Sequence, residues 1–370
     1  MEAVNYDVIV VGGGPAGLAA AITAAKNGVR CLLLERGRLP RHKVCGEFVS
    51  PESLGILAEL LDREHQPLLS EARRIASARI FLDGRVIESS FEAPAASIAR
   101  YDLDYALWQS AENTGVDARS LTLVEQVQGE GPFRLTTSAG EFKGRALIDA
   151  SGRWSNLARA PRNGHAPKRS LGLKAHFAEP DSPASVDLYF FAGGYCGVQP
   201  LGAAPSDGRR GRINACAVVE ADVARSLLQV FRLHPRLEER SRSWERVSEP
   251  VSTAPLLFKK PQPGRNGIFV TGDAAGFVDP FVGDGISLAL HSGGLAARSL
   301  VPFFAGNSSL GDALALYRQS YQHSLAPVFW SSSRLRQALS LPTWMRMPLV
   351  AAFEQSPALA GYWLRKTRAK

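Results

Sequence analysis

An α/β architecture with an α+β insertion follows from three features of the sequence. A short β-branched run, Tyr6–Val11, leads into the glycine-rich turn Gly12–Gly17 and then an alanine-rich stretch; this is the pattern of a buried parallel strand feeding a helix. A second strand–turn–helix unit recurs far along the chain, as Gly267–Thr271, Gly272–Gly285 and Ile286–Phe304. Between the two lie several short apolar runs of strand length and alternation. The two glycine turns are remote in sequence, so the first domain is expected to be discontinuous, with a sheet inserted into it.

In chain order, Pro15–Asn27 reads as a helix stopped by Gly28, and Val29–Glu35 as the next strand. Arg38–Pro51 reads as loop, Glu52–Leu61 as helix, and Ala78–Phe91 as strands around the turn Asp83-Gly84. Leu103–Thr114 is helical in pattern. Arg119–Val127, Phe133–Thr137 and Arg145–Ala150 then follow as strands. Leu171–Phe177, Val186–Phe191, Gly197–Pro200 and Arg212–Val219 are strand-like, Ala221–Arg246 is expected to be helical, and so is most of the chain after Ile286. The expected division is a first domain over residues 1–75, 96–165 and 255–305, a β-sheet substrate domain over 76–95 and 166–254, and a C-terminal helical region over 306–370.

The chain has 370 residues, 45% of them hydrophobic, which is enough for such cores. The net charge of +8 fits acidic ligands or a membrane surface. No zinc-finger, helix-turn-helix or aromatic RNA-binding pattern accompanies it, so nucleic acid is not expected. Cys31, Cys45, Cys196 and Cys216 form no C-x-x-C pair. The expectation is a reducing cytoplasm, with no metal and no disulfide framework. No signal peptide is expected. Val8–Ala25 carries no charge and has the length of a membrane span, but Gly12-Gly13-Gly14-Pro15 cuts through it.

Gly12-x-Gly14-x-x-Gly17 is a Rossmann-type dinucleotide cradle in its proper setting. The first glycine permits the tight turn, the second lets backbone approach a pyrophosphate, and the third lets helix and strand pack. Pro15 and Ala16 open the helix, whose N–H groups face phosphate. Glu35, with Arg36 after it, ends the second strand about 20 residues on, where a carboxylate accepts from an adenosine ribose and disfavours a 2′-phosphate. Gly272-Asp273-Ala274-Ala275-Gly276 follows the later strand. Asp273 there would accept from a ribityl chain. Pro280, Gly283, Gly285 and Ile286 open a helix whose N–H groups stabilise charge on a reduced flavin. That second motif selects FAD over NAD.

Together with the turn Asp149-Ala150-Ser151-Gly152, these stretches resemble the glutathione-reductase-type flavoproteins of the aromatic-hydroxylase superfamily. A finer resemblance is to the geranylgeranyl-reductase-like branch. Lys43-x-Cys45-Gly46-Glu47, Arg100-x-x-Leu103-Asp104 and the run Gly272–Gly276, Pro280, Gly283–Ile286 carry it. The resemblance implies a Rossmann-type FAD-binding domain with an inserted β-sheet substrate domain and C-terminal helices. It also implies that Arg100 and Gly152 lie against FAD and that Cys45 and Gly46 line the cavity near its ring. The branch's Tyr-x-Trp-x-Phe-Pro stretch corresponds to Gly194–Pro200, which keeps Tyr195 and Pro200 but not the tryptophan and phenylalanine. The Trp-x-Trp-x-Ile-Pro signature of halogenases is absent.

Three functions stay open at this point. Hydride transfer to a C=C bond of a hydrophobic small molecule is favoured over monooxygenation (hydroxylation or epoxidation), because aromatic hydroxylases place histidine where Gly276 stands. The third is a flavin-binding module without turnover. Electrons are expected from transient NAD(P)H or from a partner reductase. Cys45 and Tyr195 are the candidate proton donors, with His176 and His291 read as structural. Arg209, Arg210, Arg212 and the arginines from 225 to 246 are read as solvated. From Ser331 to Lys370 seven arginines and lysines oppose one acid, Glu354, with Trp330, Trp344, Met345, Met347, Phe353, Tyr362 and Trp363 around them. The segment reads as a helical cap; the alternatives are a peripheral contact with the inner membrane face and a dock for a carrier protein bearing the substrate.

Overall fold

A register shared by four parallel strands fixes where the chain's turns emerge. The computed structural model describes residues 4–153, 157, 170–202, 211–253, 255–256, 258, 260–339, 341–356 and 361. In the first sheet the order is Gly264–Arg265, Ile268–Val270, Gly140–Asp149, Val4–Val11, Cys31–Leu34, Asp117–Arg119. Along this path all neighbours are parallel except the first pair, and off it the strands Val124–Gln128 and Phe133–Thr137 add to Gly140–Asp149 in antiparallel pairs. Val11 pairs with both Leu34 and Asp149, and Asp149 pairs with Val270. Gly12, Glu35, Ala150 and Thr271 therefore leave the sheet at one edge, the carboxyl edge at which open α/β sheets bind ligands.

The helices fit this edge because their contact residues are small. Pro15–Lys26 buries Ala19, Ala20, Ala21 and Ala24. Gly293, inside the helix Gly285–Phe304, comes so close that a Cβ on it would lie 2.0 Å from the Ala16 carbonyl oxygen. The helices that follow the early and late glycine turns are thus packed backbone to backbone.

The second sheet runs Glu245–Arg246, Ser170–Ala178, Arg212–Glu220, Gly194–Pro200, Ser185–Phe191, Arg73–Leu82, Arg85–Ser97, Phe48–Val49. Its pairs are antiparallel apart from Ser185–Phe191 with Arg73–Leu82. Alternation splits its side chains. Phe177, Tyr189, Cys196, Val198 and Ile213 form a core under the helices Leu227–Phe231 and Pro235–Ser241, while Ile80, Leu188, Phe190, Tyr195 and Val218 face a cavity on the other side. The helices Ala326–Leu339 and Thr343–Gln355 cover that side.

Several local expectations need correction. Residues 221–246 are not one helix: Ser226 caps one short helix, Pro235 starts another, and Glu245–Arg246 is strand. The run 119–127 breaks into Asp117–Arg119 and Val124–Gln128, because Leu121 takes φ +56° between them. Arg212 and Arg240 are not solvated. Arg212 is buried and donates to the Gly202 carbonyl. Arg240 binds Glu179 through two bonds and also reaches the buried Asp187. Arg209, Arg210, Tyr362 and Trp363 lie outside the described residues.

Candidate functional site

The shared sheet edge opens into a cavity of about 600 Å³. Gly12, Gly14, Pro15, Ala16, Glu35, Arg36, Cys45, Gly46, Arg100, Gly152, Gly272, Asp273, Pro280, Gly283, Gly285 and Ile286 all line it. Gly17 does not. It serves packing instead: a Cβ there would lie 1.8 Å from the Gly12 carbonyl oxygen. Gly12 has φ +114°, and a Cβ on it would lie 2.3 Å from the Ala150 carbonyl oxygen.

The donors at this edge suit a dinucleotide. Gly14 caps the Pro15–Lys26 helix with no side chain to occupy the first N–H groups, which leaves them for an anion. Lys43 Nζ and Arg100 Nη2 each lie 4.0 Å from where a Gly14 Cβ would be. Both are tied to Asp104, Lys43 at 2.8 Å and Arg100 through two bonds at 2.7 and 2.8 Å. Two cations sharing one carboxylate leave one net positive charge at the cradle. Burial lowers the proton affinity of Arg100, but Asp104 overrides burial and raises it above the ordinary arginine value.

Glu35 accepts from Gly13 N and Gly37 N, both at 2.8 Å, and from Arg41 Nη2 at 2.9 Å. Burial opposes its ionisation, and Arg41 and Lys43 outweigh burial, so the carboxyl is held below its ordinary range. A carboxylate has about four lone-pair sites, so one acceptor position remains for a hydroxyl in the cavity. Asp273 keeps 41% of its side chain exposed there, 3.6 Å from Arg153 Nε. Arg153 stacks on Phe277 at 4.5 Å, and its Nη1 is buried without a hydrogen-bond partner. An orphaned cationic N–H and an open carboxylate in one wall fit a polyhydroxylated, phosphorylated chain.

Sequence reasoning quoted Glu47 only as part of a run, yet the structure makes it the centre of a buried polar cluster. Its side chain is fully buried and in contact with Lys174. It also accepts from His176 Nε2 at 2.8 Å and Arg100 N at 2.8 Å. Burial works against its charge, and Lys174 with His176 overcomes burial and brings its pKa down to about 2. Asn214 Nδ2 donates to the carbonyls of Cys45 and Gly46 at 3.0 and 2.8 Å. The Lys43–Glu47 segment is therefore clamped from the second sheet, and Cys45 Sγ accepts from Glu47 N at 3.3 Å.

Tyr195 does not face the dinucleotide cavity. It lines an adjoining, almost wholly apolar cavity of about 160 Å³, walled by the second sheet and roofed by Leu335, Leu339, Val350 and Phe353. Gly46, Phe48, Cys216, Val218, Pro280 and Gly283 line both cavities, so the two share a wall. Tyr195 Oη donates to Asp279 Oδ1 at 3.0 Å. Burial lifts the Asp279 carboxyl to about 6 and Tyr195 well above its ordinary value. Asp279 was missed from sequence; its signal was its place inside the second glycine motif, directly before Pro280. His176 is bound to Glu47, and His291 leaves Nε2 buried and unpartnered, away from either cavity lining.

The profile of the family described as FAD dependent oxidoreductase matches residues 7–40. A menaquinone reductase of Mycobacterium tuberculosis is 30% identical over 322 residues, 80% of this chain and 76% of that protein. A digeranylgeranylglycerophospholipid reductase of Methanoculleus marisnigri is 26% identical over 348 residues, covering 86% of this chain and 82% of the relative. In fold, the chain superposes on a geranylgeranyl bacteriochlorophyll reductase-like protein of Thermoplasma acidophilum with a TM-score of 0.75 at 22% identity, over 98% of this chain and 95% of the other. FAD is the cofactor that the cradle fits. The chain belongs to the geranylgeranyl-reductase-like family of FAD-dependent oxidoreductases.

Proposed function

We propose that this enzyme reduces a C=C or quinoid bond of a hydrophobic, isoprenoid- or quinone-type molecule held in the apolar cavity. The observation that carries the reading is the shared wall: Gly46, Cys216, Pro280 and Gly283 border both the cofactor cavity and the apolar one. Relatives named as menaquinone and digeranylgeranylglycerophospholipid reductases support the same substrate class. Bound FAD, once reduced, supplies a hydride equivalent.

The chain supplies everything else. Gly12–Gly17, Lys43 and Arg100 would hold the pyrophosphate, Glu35 the ribose, and Asp273 with Arg153 the ribityl side. Leu188, Phe190, Val350 and Phe353 exclude water and orient an apolar tail. Reduction of such a bond also consumes protons. Tyr195 Oη holds one at the cavity wall, and Asp279 behind it restores it from a carboxyl that titrates near 6. Cys45 stays a candidate donor from the cofactor side.

Anaerobic enzyme with chemically reduced FAD tests this. Adding a prenylated quinone should return the oxidised flavin spectrum and yield a product two hydrogens heavier, either the quinol or the quinone with one prenyl double bond saturated. Reoxidation by O₂ alone, with ¹⁸O appearing in an added aromatic or alkene, would replace the reading by a monooxygenase. No substrate-dependent reoxidation of either kind would leave a flavin-binding module.

A further inference from the structure

The floor of the apolar cavity has a direction. Strand pairing sets Cys216 beside Gly197, Gly197 beside Leu188, Leu188 beside Ile80 and Ile80 beside Ile87, and all five line the cavity. Four strand spacings, about 19 Å, therefore separate Cys216, which also borders the cofactor cavity, from Ile87. A second path agrees. Phe48, shared by both cavities, packs its ring on Phe91 at 5.8 Å. Phe91, Ser89 and Ile87 then step along one strand away from it, toward the turn Asp83-Gly84. The tip of the Arg73–Ser97 hairpin is thus the end of the cavity remote from the cofactor.

That end is closed by charge. Among the described residues that line the apolar cavity, Arg346 alone is charged. Its Nε and Nη2 donate to the two oxygens of Asp83, both at 2.6 Å, and its Nη1 donates to the carbonyls of Leu339 and Leu341 at 2.9 and 3.3 Å. Four hydrogen bonds fix a group that has five N–H donors. Asp83 is equally fixed. Leu82 pairs with Arg85, so Asp83-Gly84 is a two-residue loop, and φ values of +52° and +78° are those of the tight turn such a loop takes. The aliphatic wall at this corner is softer: Leu82, Ile87 and Val350 form one small cluster, with Phe353 packed against it. An apolar tail can push such side chains into other rotamers, whereas displacing Arg346 would strand a carboxylate and two carbonyls. The same helix has a second tie to the hairpin, Glu354 to Arg85, and neither of those residues lines the cavity. Of the two ties, only the one at Arg346 stands in the path of a tail.

We propose that Arg346, locked to Asp83, is the end stop of the apolar cavity and determines specificity by limiting the length of tail that the cavity accepts. The proposal deepens the reading of this cavity as the site of a hydrophobic, tailed substrate and rests on it. Arg346 touches no reacting bond. It selects at the opposite end, by refusing apolar carbon a place that a desolvated ion pair already fills.

Isothermal titration of the full-length, FAD-loaded enzyme with a homologous series of prenyl alcohols, lengthened unit by unit at one sub-micellar detergent concentration, tests this without turnover. In the wild type each added unit should tighten binding until the extended tail spans about 19 Å, and further units should add nothing. Arg346→Ala should move that break to longer tails and bind the longest alcohol roughly tenfold more tightly than the wild type does, relative to the shortest. Asp83→Asn keeps the side chain's volume and weakens only the pair. It should move the break the same way, by roughly threefold, and it carries the test if Arg346→Ala does not fold. Glu354→Gln should leave the break where it is. Bound flavin per protein is the folding control, since none of the three residues borders the cofactor cavity. No break in the wild type, a break that neither variant moves, an equal shift in Glu354→Gln, or no binding of any prenyl alcohol would each overturn the end stop. Reduction of a prenylated quinone is scored separately. Turnover with a flat length profile removes the end stop and keeps the reductase; a shifted break without turnover of any quinone or alkene does the reverse.

Discussion

The cofactor cavity and the apolar cavity adjoin, yet they are built by opposite means. The first is made of backbone and charge: glycine turns that exclude a side chain, Glu35 held by three donors, and Lys43 and Arg100 locked to one carboxylate. The second is made mostly of ordinary aliphatic and aromatic side chains from several strands and two helices, with the hydroxyl of Tyr195, bonded to Asp279, among the few polar groups at its wall. Preorganised dipoles tolerate almost no change of geometry, whereas an apolar wall tolerates changes that keep its volume. The cradle should therefore fail abruptly under substitution and the apolar cavity should fail by degrees.

The sharpest break falls on the cradle. Gly17→Val puts a side chain into the Gly12 carbonyl and should abolish FAD retention, read as the flavin-to-protein absorbance ratio, with a stability loss above about 3 kcal/mol in urea unfolding. Next is the clamp between the two regions. Glu47→Gln strands the buried Lys174 charge, which should lower stability by about 3–5 kcal/mol. The pH dependence follows in sign. Because the folded pKa of Glu47 is depressed from 4.5 to about 2, its stabilisation is present above about pH 4.5 and lost as pH falls through about 2. Acid titration of the wild type, but not of the variant, should show that loss.

The apolar side should respond more mildly. Tyr195→Phe keeps the ring packed on Phe190 and Phe281 and removes only the hydroxyl. Substrate-driven flavin reoxidation should slow about 100-fold with FAD binding intact. In the wild type the same rate should fall as pH rises through about 6, where Asp279 loses the proton it returns to Tyr195. Phe190→Leu, a change of wall shape alone, should raise KM for a long-tailed quinone only a few-fold, by about 1 kcal/mol, and leave a tail-less quinone unaffected. A larger effect of Phe190→Leu than of Tyr195→Phe would erase the contrast between wall and proton donor.

What the sequence revealed follows the same division. The cradle was legible because each part is a short run with its own steric reason: Gly12 and Gly17 within six positions, Glu35 at a strand end, and Asp273 after the strand ending at Thr271. The inserted sheet was legible as strands, though its order was not, since alternation marks faces and not neighbours. The residues that join the cavities were hidden. Glu47 finds Lys174 and His176 across about 130 positions of chain, at separations of 127 and 129. Asp279 meets Tyr195 across 84. No local spacing encodes such meetings; they follow from how the second sheet docks on the first. The arginines at 212 and 240 misled for the same reason, because their carbonyl and carboxylate partners lie on other elements.

The most direct measurement of the central claim is electron density from crystals of the FAD-bound enzyme soaked with a prenylated quinone. The account predicts the reducible group, the quinone ring or a prenyl double bond, at the shared wall of Gly46, Cys216 and Pro280, within reach of Tyr195, and the rest of the tail between Leu188, Phe190, Val350 and Phe353. Density that places neither the ring nor a prenyl double bond at the wall bordered by both cavities, or a tail lying outside the second sheet's apolar face, would contradict it.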